Sequence, residues 1–426
     1  MVKKILKYVL VFVVSVVVLF LVMVGSEFIS QDAMRDQVES SIGVLCEKDA
    51  VFTYWKGMPA GNMDRYADSV SLGIAWQSDS EHPFEAAMWC SYYVDRFFVT
   101  RYHHANYDLR RAFVQNLEGN NEYLRYWHGN VPVIRFFHLF TNIRGMYIIL
   151  GLVMAALFLS LLVLLWRYGL KSVAIGFIIS GFMVSLWFVP FVLEYVWMFL
   201  VAFSASIIAL IWGRKDKWNR MGALFLVTGI VANYLDFLTT ETITFLLPLL
   251  ILVALRSKSE SKAPILPVVR DCVLWGIGYL GMWIMKWVIA SAILGINVMP
   301  YVTKNIALRL GTSQMEEGNI LSTLGRNLIG LIPTTFGKIG IIVSVFLFLA
   351  WLCVIIVYKK SGIRKDYVIL YIALGMIPFI RYVVMTEHSF VHFTFTYRAL
   401  MASILSMCLI TCEVFDFSVF RRKAYG

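Results

Sequence analysis

Two carboxylates four residues apart, Asp64 and Asp68, have a spacing that could support chemistry in this 426-residue sequence. On a helix such residues share one face, where like charges repel unless a cation or a substrate offsets them. The pair could provide a general base that takes a proton from a sugar hydroxyl, or could hold a divalent cation. The alternative is structural, with Asp64 capping a helix and Asp68 in solvent. Composition alone favours the structural alternative.

A lysine, Lys286, lies within the segment Gly278–Trp287, in the outward half of a predicted membrane span. A charge there costs at least about 2.5 kcal/mol on insertion scales, so it normally faces a cavity or a partner. The alternative is that the side chain extends to the membrane surface, which is unfavourable because Lys286 lies far from the outer end of the span. We therefore expect Lys286 to bind an anion, for which a lipid phosphate is the natural candidate.

Cationic and aromatic side chains also cluster just before the second predicted span. Arg125, Trp127 and His128 occur there within a few residues of each other. Together they could bind a phosphate and stack on a sugar. The alternative is an interfacial aromatic belt, which is common at this depth.

The last predicted outer turn contains His388 and His392 at helical spacing, followed by Arg398. The two histidines could clamp a phosphate or contribute to a metal site, although without a clear third ligand they predict zinc only weakly. Arg398 could pair with a phosphate or diphosphate, because a guanidinium binds such oxygens in a fork. The alternative for Arg398 is a basic anchor at a helix end. Arg309, in the second outer loop, is a weaker candidate for the same task.

The composition indicates which elements must position these side chains. The chain is 59% hydrophobic and 15% charged, with a mean hydropathy of +0.72, whereas a soluble domain is about half apolar and about a quarter charged. This argues against a soluble enzyme, a disordered tail and a disulfide-stapled secreted module. A net charge of +11 would suggest nucleic acid in a soluble protein, but a membrane protein sorts its charges by side.

Ten membrane spans are predicted, since a span needs about 20 mostly apolar residues. Half of the basic residues, 19 of 38, lie in the short segments assigned to the cytoplasm. This bias predicts that both termini are cytoplasmic. The arms of the Leu224–Leu255 hairpin are short and could stop part-way through the membrane. The predicted spans are Ile5–Val24, Tyr147–Trp166, Val173–Phe188, Val192–Trp212, Leu224–Tyr234, Thr244–Leu255, Val273–Leu294, Ile341–Val357, Tyr367–Ile380 and Leu400–Cys412.

The predicted architecture is an all-α polytopic membrane protein with one folded, mainly helical loop domain. Its parts are a first transmembrane helix (1–27), an extracytoplasmic loop domain (28–142), a transmembrane bundle (143–416) with a second outer loop at about 295–336, and a cytoplasmic tail (417–426). The first loop is rich in aromatic residues, unlike disordered linkers, so we expect it to fold. Apolar spacing predicts interfacial helices at Phe84–Phe98 and Tyr107–Leu117. Cys46 and Cys90 in this loop could form a disulfide or stay as buried thiols, and their spacing does not decide between these states.

The order of one helix, a large folded outer loop with an acidic pair, and then a bundle resembles the GT-C superfamily of polytopic glycosyltransferases, which use polyprenyl-phosphate sugars. More narrowly, the chain looks like a group of Gram-positive GT-C-like membrane proteins. The resemblance extends over nearly the whole chain and implies a GT-C-like fold. The matching stretches are Met63–Asp68, Arg125–Gly129, Asp236–Thr239, Gly278–Trp287 and His388–Arg398.

The resemblance implies a membrane glycosyltransferase whose active site is extracytoplasmic. A polyprenyl-phosphate-linked donor would pass its sugar, with inversion, to a cell-surface glycan, a glycolipid or a wall polymer. A first-loop acid typically acts as the base in GT-C enzymes, which maps onto Asp64 or Asp68. The donor phosphate would be bound by Lys286, Arg398, Arg125 and Arg309. The substrate would be oriented by His128, Trp127, His388, His392, Tyr397 and Asp236.

A required metal or other cofactor is not implied, because many GT-C relatives work without one and the chain lacks an Asp-x-Asp motif. A divalent cation at Asp64 and Asp68 stays open as an alternative. Nucleic acid is not expected as a partner, because most of the excess positive charge fixes orientation in the membrane. Rival functions are a polymerase or ligase of lipid-linked glycans, a lipid or glycan flippase or transporter, and a non-catalytic assembly subunit. Repeated halves and ionisable residues near mid-membrane would favour the transporter.

Overall fold

The computed structural model describes residues 2–95, 101–309, 319–332 and 337–418. This part of the chain is helical almost throughout, which confirms the predicted all-α class. Within it, the one sheet is an antiparallel hairpin of β1 (Val51–Thr53) and β2 (Asn62–Asp64).

The helices follow one another with short connections, except where the β-hairpin and the extended segments of the loop domain (residues 28–142) intervene. The bounds are α1 Val2–Ser26, α2 Gln31–Leu45, α3 Tyr66–Trp76, α4 Pro83–Trp89, α5 Arg101–Gln115, α6 Asn130–Phe137, α7 Ile143–Arg167, α8 Lys171–Met183, α9 Leu193–Arg214, α10 Met221–Leu235, α11 Ile243–Arg256, α12 Ile265–Leu294, α13 Met299–Arg309, α14 Ile320–Ile329, α15 Gly337–Val357, α16 Lys365–Val384, α17 Thr386–Val391, α18 Phe393–Thr396 and α19 Met401–Val414. Short 3-10 helices occur at Pro59–Gly61, Leu186–Phe191, Trp218–Arg220 and Tyr397–Leu400.

Within the described residues, seven helical segments are long and apolar enough to cross a membrane: α1, α7, α9, α12, most of α15, α16 and the segment Phe393–Val414. Each overlaps a predicted span, so the chain is a multi-pass membrane protein. The other three predicted spans correspond to α8, α10 and α11, which have 13, 15 and 14 residues. At about 1.5 Å per residue each rises only about 20 Å, short of a hydrocarbon core of roughly 30 Å. The total of ten spans therefore stays a prediction.

The helices differ in how much of their apolar surface other helices cover. α1, α7 and α15 expose long rows of Val, Leu and Ile side chains, as expected for helices on the lipid side of a bundle. By contrast, every residue of α11 from Ile243 to Leu255 is buried. The short helix α11 is thus a central packing element, against which α9 and α19 lie.

Two glycines allow α10 and α12 to cross at close range. A Cβ atom at Gly229 would collide with the backbone oxygen of Trp275, and one at Gly278 would collide with that of Leu226. Small residues at such crossings let the two backbones approach, which strengthens packing between membrane helices. The contact fixes the position of α12 and of the side chains that it presents to the loop domain.

The loop domain is joined to α1 by a buried ion pair. Arg135 of α6 contacts the Glu27 carboxylate just after α1, with 2.6 Å between nitrogen and oxygen. The same guanidinium donates to the carbonyl oxygens of Ala75 (3.0 Å) and Ile74 (3.2 Å) at the end of α3. Breaking a buried pair by removing one partner costs about 3–5 kcal/mol. Arg135 therefore fastens α1, α3 and α6 together.

One of the two helix predictions in the loop domain is too long. The helix expected over Phe84–Phe98 ends at Trp89, because Cys90 takes a left-handed conformation with φ of 47°. Residues 96–98 lie outside the described residues. The second predicted helix, Tyr107–Leu117, corresponds to α5.

Candidate active site between the loop domain and the membrane helices

A cavity of about 650 Å³, including its open mouth, lies between the loop domain and the membrane helices. Acidic, cationic and imidazole side chains from separate parts of the chain meet on its walls. These side chains belong to Asp64, Glu194, Arg125, His128, His388 and His392.

Asp64 lies at the end of β2, beside this cavity. The hairpin holds its backbone, because Val51 of β1 is its partner in the antiparallel register. Its Oδ1 accepts a hydrogen bond from the backbone N–H of Tyr66 at 3.1 Å, which orients the carboxylate. The side chain is half-buried. A carboxylate held in this way can accept a proton from a hydroxyl bound in the cavity.

Asp68 does not share a helix face with Asp64, and that expectation is wrong because Asp64 ends a strand while Asp68 lies in α3. Asp68 is buried and does not line the cavity. Its carboxylate accepts hydrogen bonds from the Tyr147 hydroxyl (2.6 Å) and from the backbone N–H groups of Leu193 (3.0 Å) and Glu194 (3.3 Å). Burial raises the pKa of Asp68 to about 6, although these hydrogen bonds partly offset the effect. Asp68 thus anchors the N-terminus of α9, whose free N–H groups attract negative charge.

Glu194 is a cavity residue that the sequence analysis did not single out. It lies in the first turn of α9, where the hydrogen bond to Asp68 fixes its backbone. A signal was present, because Glu194 is an acid inside the predicted span Val192–Trp212, where a charge is costly without a partner. The cavity therefore contains Asp64 and Glu194, in place of the expected pair of Asp64 and Asp68.

His128 is the most deeply buried imidazole on the cavity wall. Its backbone is left-handed, with φ of 57°, and its ring lies 4.5 Å from the ring of Tyr123 and 5.4 Å from that of Phe237. Among the described residues, neither ring nitrogen has a hydrogen-bond partner of good geometry, and the Tyr123 backbone is the polar group within reach of the ring. Burial, with the nearby charges of Lys286 and Arg125, holds the pKa of His128 well below its ordinary value. The neutral ring offers one donor and one acceptor to a ligand.

Arg125 is the arginine of the cavity. Its guanidinium lies over the rings of Tyr123 and Tyr126, at 5.1 and 4.7 Å from their centroids. It donates hydrogen bonds to the Tyr123 hydroxyl (2.7 Å) and to Oδ1 of Asn305 in α13 (2.9 Å). Burial alone would lower the pKa of Arg125, but the adjacent tyrosines raise it above its ordinary value. Arg125 is therefore a fixed positive charge that can bind an anion.

The two histidines of the last outer turn lie together, as their spacing predicts. The rings of His388 and His392 are 4.7 Å apart between centroids, and His392 also stacks on Phe395 at 5.1 Å. The buried guanidinium of Arg381 holds this segment by donating to the Ser389 hydroxyl at 2.8 Å. The same guanidinium pairs with Glu241 at 2.9 Å. Arg381 thus fixes the turn between α10 and α11 relative to residues 386–392, which we call the histidine segment.

Lys286 is buried, as expected for a charge with a partner, but it does not line the cavity. Its Nζ donates to the carbonyl oxygens of Met88 (2.9 Å) and Ala87 (3.4 Å) and lies 3.7 Å from the sulfur of Cys90. These carbonyls end α4, where a cation is stabilised by the helix dipole. The structure therefore places Lys286 in a capping position.

Four other predicted site residues do not line the cavity, namely Trp127, Asp236, Tyr397 and Arg398. Trp127 is buried and its Nε1 donates to the Met282 carbonyl oxygen at 2.7 Å. Asp236 accepts hydrogen bonds from the Thr239 N–H (2.9 Å) and the Tyr279 hydroxyl (2.8 Å), which shape the turn after α10. These contacts give Trp127 and Asp236 clear structural roles.

Tyr397 and Arg398 are also buried, in the 3-10 helix Tyr397–Leu400 that follows α18. The Tyr397 hydroxyl donates to the Val184 carbonyl oxygen at 3.0 Å. Arg398 donates through Nη1 to the Thr394 carbonyl oxygen at 2.7 Å and lies 4.9 Å from the centroid of the Tyr195 ring. Its Nε and Nη2 have no hydrogen-bond partner in the described part of the chain. Arg309 is the last residue of α13, and its side chain lies outside the described residues.

The described residues contain neither a disulfide nor a cluster of metal-binding side chains. Cys46 and Cys90 are both free thiols, so the alternative of a disulfide between them is not present. Burial raises the pKa of the Cys90 thiol. No group of three or more His, Cys, Asp or Glu side chains is arranged to hold a metal ion within residues 2–95, 101–309, 319–332 and 337–418.

The arrangement can support proton uptake by a carboxylate, binding of an anion by Arg125 and the imidazoles, and stacking on aromatic walls. Tyr66, Tyr123, Tyr126, Phe237 and Phe395 supply those walls. Comparison with known proteins adds no identification, because no protein-family profile, no curated protein and no solved structure matches the chain.

Proposed function

We propose that the protein is a membrane glycosyltransferase that moves a sugar from a polyprenyl-phosphate-linked donor to a glycan, glycolipid or wall-polymer acceptor. The observation that carries the proposal is the cavity in which Asp64 meets Arg125, His128, His388 and His392. These residues come from distant parts of the chain. The loop domain would be extracytoplasmic, as the distribution of basic residues predicts.

The proposed reaction is a direct displacement at the anomeric carbon of the donor sugar. The acceptor hydroxyl oxygen forms the new bond to that carbon while the bond to the phosphate oxygen breaks, and the polyprenyl phosphate leaves with the electron pair. Asp64 takes the proton of the acceptor hydroxyl. One displacement inverts the anomeric configuration.

Stabilisation of the leaving phosphate is assigned to Arg125, His388 and His392, because these side chains line the cavity. A fixed positive charge and hydrogen-bond donors that are already in place where negative charge develops lower the barrier without a cost of reorganisation. Lys286 is a poorer candidate than expected, because carbonyl oxygens at the end of α4 already accept its hydrogen bonds. Arg398 stays a second candidate although it does not line the cavity, because two of its buried nitrogens lack hydrogen-bond partners among the described residues.

The decisive experiment compares Asp64→Asn with wild type in proteoliposomes supplied with a labelled polyprenyl-phosphate sugar and a membrane extract as acceptor. Loss of the base should lower transfer by about 10²- to 10⁴-fold. The matched control is Asp32→Asn in the same domain, because the Asp32 side chain is 92% exposed and lines no cavity described above. The control should transfer at the wild-type rate.

Unchanged transfer by Asp64→Asn and by the double variant Asp64→Asn/Asp68→Asn would refute the assignment of a first-loop base. Movement of the labelled lipid across the bilayer without loss of its sugar would instead favour a flippase or transporter. Both outcomes can be read from the same vesicles, because the lipid and the sugar carry separate labels.

A further inference from the structure

A second cavity, of about 550 Å³ including its open mouth, lies in the loop domain between α3 and α5. It adjoins the candidate active site, because Tyr66 and Val70 line both cavities. The backbone N–H of Tyr66 donates to the Asp64 carboxylate at 3.1 Å. A ligand in the second cavity would therefore lie next to the residue that orients the proposed base.

The two cavities differ in charge. No Lys, Arg or His is among the described residues that line the second cavity, whereas the first has Arg125 and three histidines. A phosphate would find no positive partner among the described residues of the second cavity. Its polar groups include the Asp108 carboxylate, the Ser69 hydroxyl and the amides of Gln77 and Asn121. The Gln77 Nε2 already donates to the Leu117 carbonyl oxygen at 2.9 Å, but carboxylate and amide oxygens can accept hydrogen bonds from sugar hydroxyls.

Aromatic rings complete the walls of the second cavity. Tyr66, Tyr92, Tyr93 and Trp76 all border it, and the Tyr66 side chain is hydrogen-bonded to Tyr92. Such rings present an apolar face with a polar edge. Apolar faces and a few well-placed polar groups are the usual lining of a small-molecule site. This lining suits an uncharged ligand with many hydroxyl groups.

Small residues at the contact between α3 and α5 keep this space open. A Cβ atom at Gly73 would make only ordinary contacts, 3.5 Å from Tyr92 and 3.9 Å from Leu109. Ala105 and Ala112 of α5 line the same space. The space is a cleft that opens to solvent, so a ligand can enter it, and a larger side chain at Ala112 would fill part of it.

We propose that the second cavity binds the acceptor glycan, which would pass Tyr66 so that its terminal sugar reaches Asp64. This inference rests on the proposed function for the role of acceptor, but binding of a glycan can be measured without transfer. Because the two cavities adjoin, a chain of two or more sugar units should bind more tightly than a single unit.

The experiment measures saturation-transfer NMR of the full chain in nanodiscs with unbranched oligomers of glucose, galactose and N-acetylglucosamine, one to four units long. Ala112→Leu should fill the cavity, and Tyr93→Ala should remove one aromatic wall. Each should weaken binding of the best oligomer by about tenfold or more. Tyr107→Ala is the matched control, because Tyr107 is an exposed tyrosine of α5 that does not line either cavity. It should bind as wild type does.

The result that overturns the inference is wild-type binding by both Ala112→Leu and Tyr93→Ala, or no binding of any oligomer by the wild-type protein. Asp64→Asn separates this inference from the proposed function, because it should lose transfer and keep glycan binding. If Asp64→Asn transfers normally while Ala112→Leu abolishes binding, the glycan site stands and the catalytic proposal fails. If Asp64→Asn loses transfer while both cavity variants bind normally, the catalytic proposal stands and the glycan site fails.

Discussion

Replacement of Arg381 by methionine should destabilise the protein and disturb the histidine segment together. The guanidinium contacts the Glu241 carboxylate (2.9 Å), the Leu238 carbonyl oxygen (2.5 Å) and the Ser389 hydroxyl (2.8 Å). The side chains of the ion pair are only 6% and 7% exposed. In Arg381→Met the Glu241 carboxylate is left buried without its partner, which costs about 3–5 kcal/mol.

The expected shift in melting temperature follows from the size of the chain. Unfolding entropy is about 2.1 cal/mol/K per residue, which for 426 residues gives about 0.9 kcal/mol per degree. Arg381→Met should therefore melt about 3–6 °C lower than wild type. The double variant Glu241→Gln/Arg381→Met should recover part of this loss, because it leaves no unpaired charge. We expect a coupling energy of about 1–3 kcal/mol between the two positions.

Thermal melting of the detergent-purified variants, followed by intrinsic fluorescence, measures these shifts. Arg144→Met is the matched control, because Arg144 pairs with Glu47 on the exposed surface at 2.7 Å. Such a pair contributes about 1 kcal/mol or less, so the control should melt within about 1 °C of wild type. Strictly additive shifts for Glu241→Gln and Arg381→Met would refute the reasoning, since additivity means that the two buried charges do not interact. The KM for donor should rise in Arg381→Met, because Ser389 and the adjacent His388 lose their support.

Three further variants test single side chains. Asp68 has a pKa of about 6 against an ordinary value of 3.8, so the folded protein retains a proton that the unfolded chain releases between these pH values. The stability of wild type relative to Asp68→Asn should therefore fall by about 2 kcal/mol as the pH rises from 4 to 6, and parallel pH profiles would contradict this. His128→Ala should raise the donor KM by about tenfold and His128→Gln should restore part of it, because Gln keeps a donor and an acceptor. Lys286→Met should lower the free energy of unfolding by about 1–3 kcal/mol, because its hydrogen bonds to carbonyl oxygens are lost, and should leave the KM for donor unchanged. A raised KM would instead assign Lys286 to the phosphate.

The membrane helices could be predicted from the sequence, because apolar content over about 20 residues is a local property of the chain. Helices α10 and α11 were correctly expected to be short. The partner of Lys286 could not be predicted in the same way. An intramembrane charge indicates that a partner exists. The partner here is the backbone of α4, and because every residue has a carbonyl oxygen, no residue type in the sequence identifies such a partner.

Most residues of the candidate site could be predicted from their types, but which acids lie together in the cavity could not. Arg125, His128, His388 and His392 were singled out, and the structure brings them to one cavity. The second acid of the cavity, Glu194, was missed, because it lies next to an apolar run and the hydrogen bond from its backbone to Asp68 is not visible in the sequence. A turn between strand and helix separates Asp64 from Asp68, and spacing alone does not reveal that turn.

The contacts along α12 restrict how this protein can move. Within two turns, the Met282 carbonyl oxygen accepts from Trp127, Trp283 donates to the Arg125 carbonyl oxygen (2.7 Å), and Lys286 donates to the loop domain. A hinge between the loop domain and α12 would have to break all three at once, and the glycine crossing holds α12 against α10. These contacts favour movement of the loop domain and this helix pair as one body. We therefore expect an opening that admits a lipid-sized substrate to involve other parts of the cavity wall, such as the short helix α17 with His388.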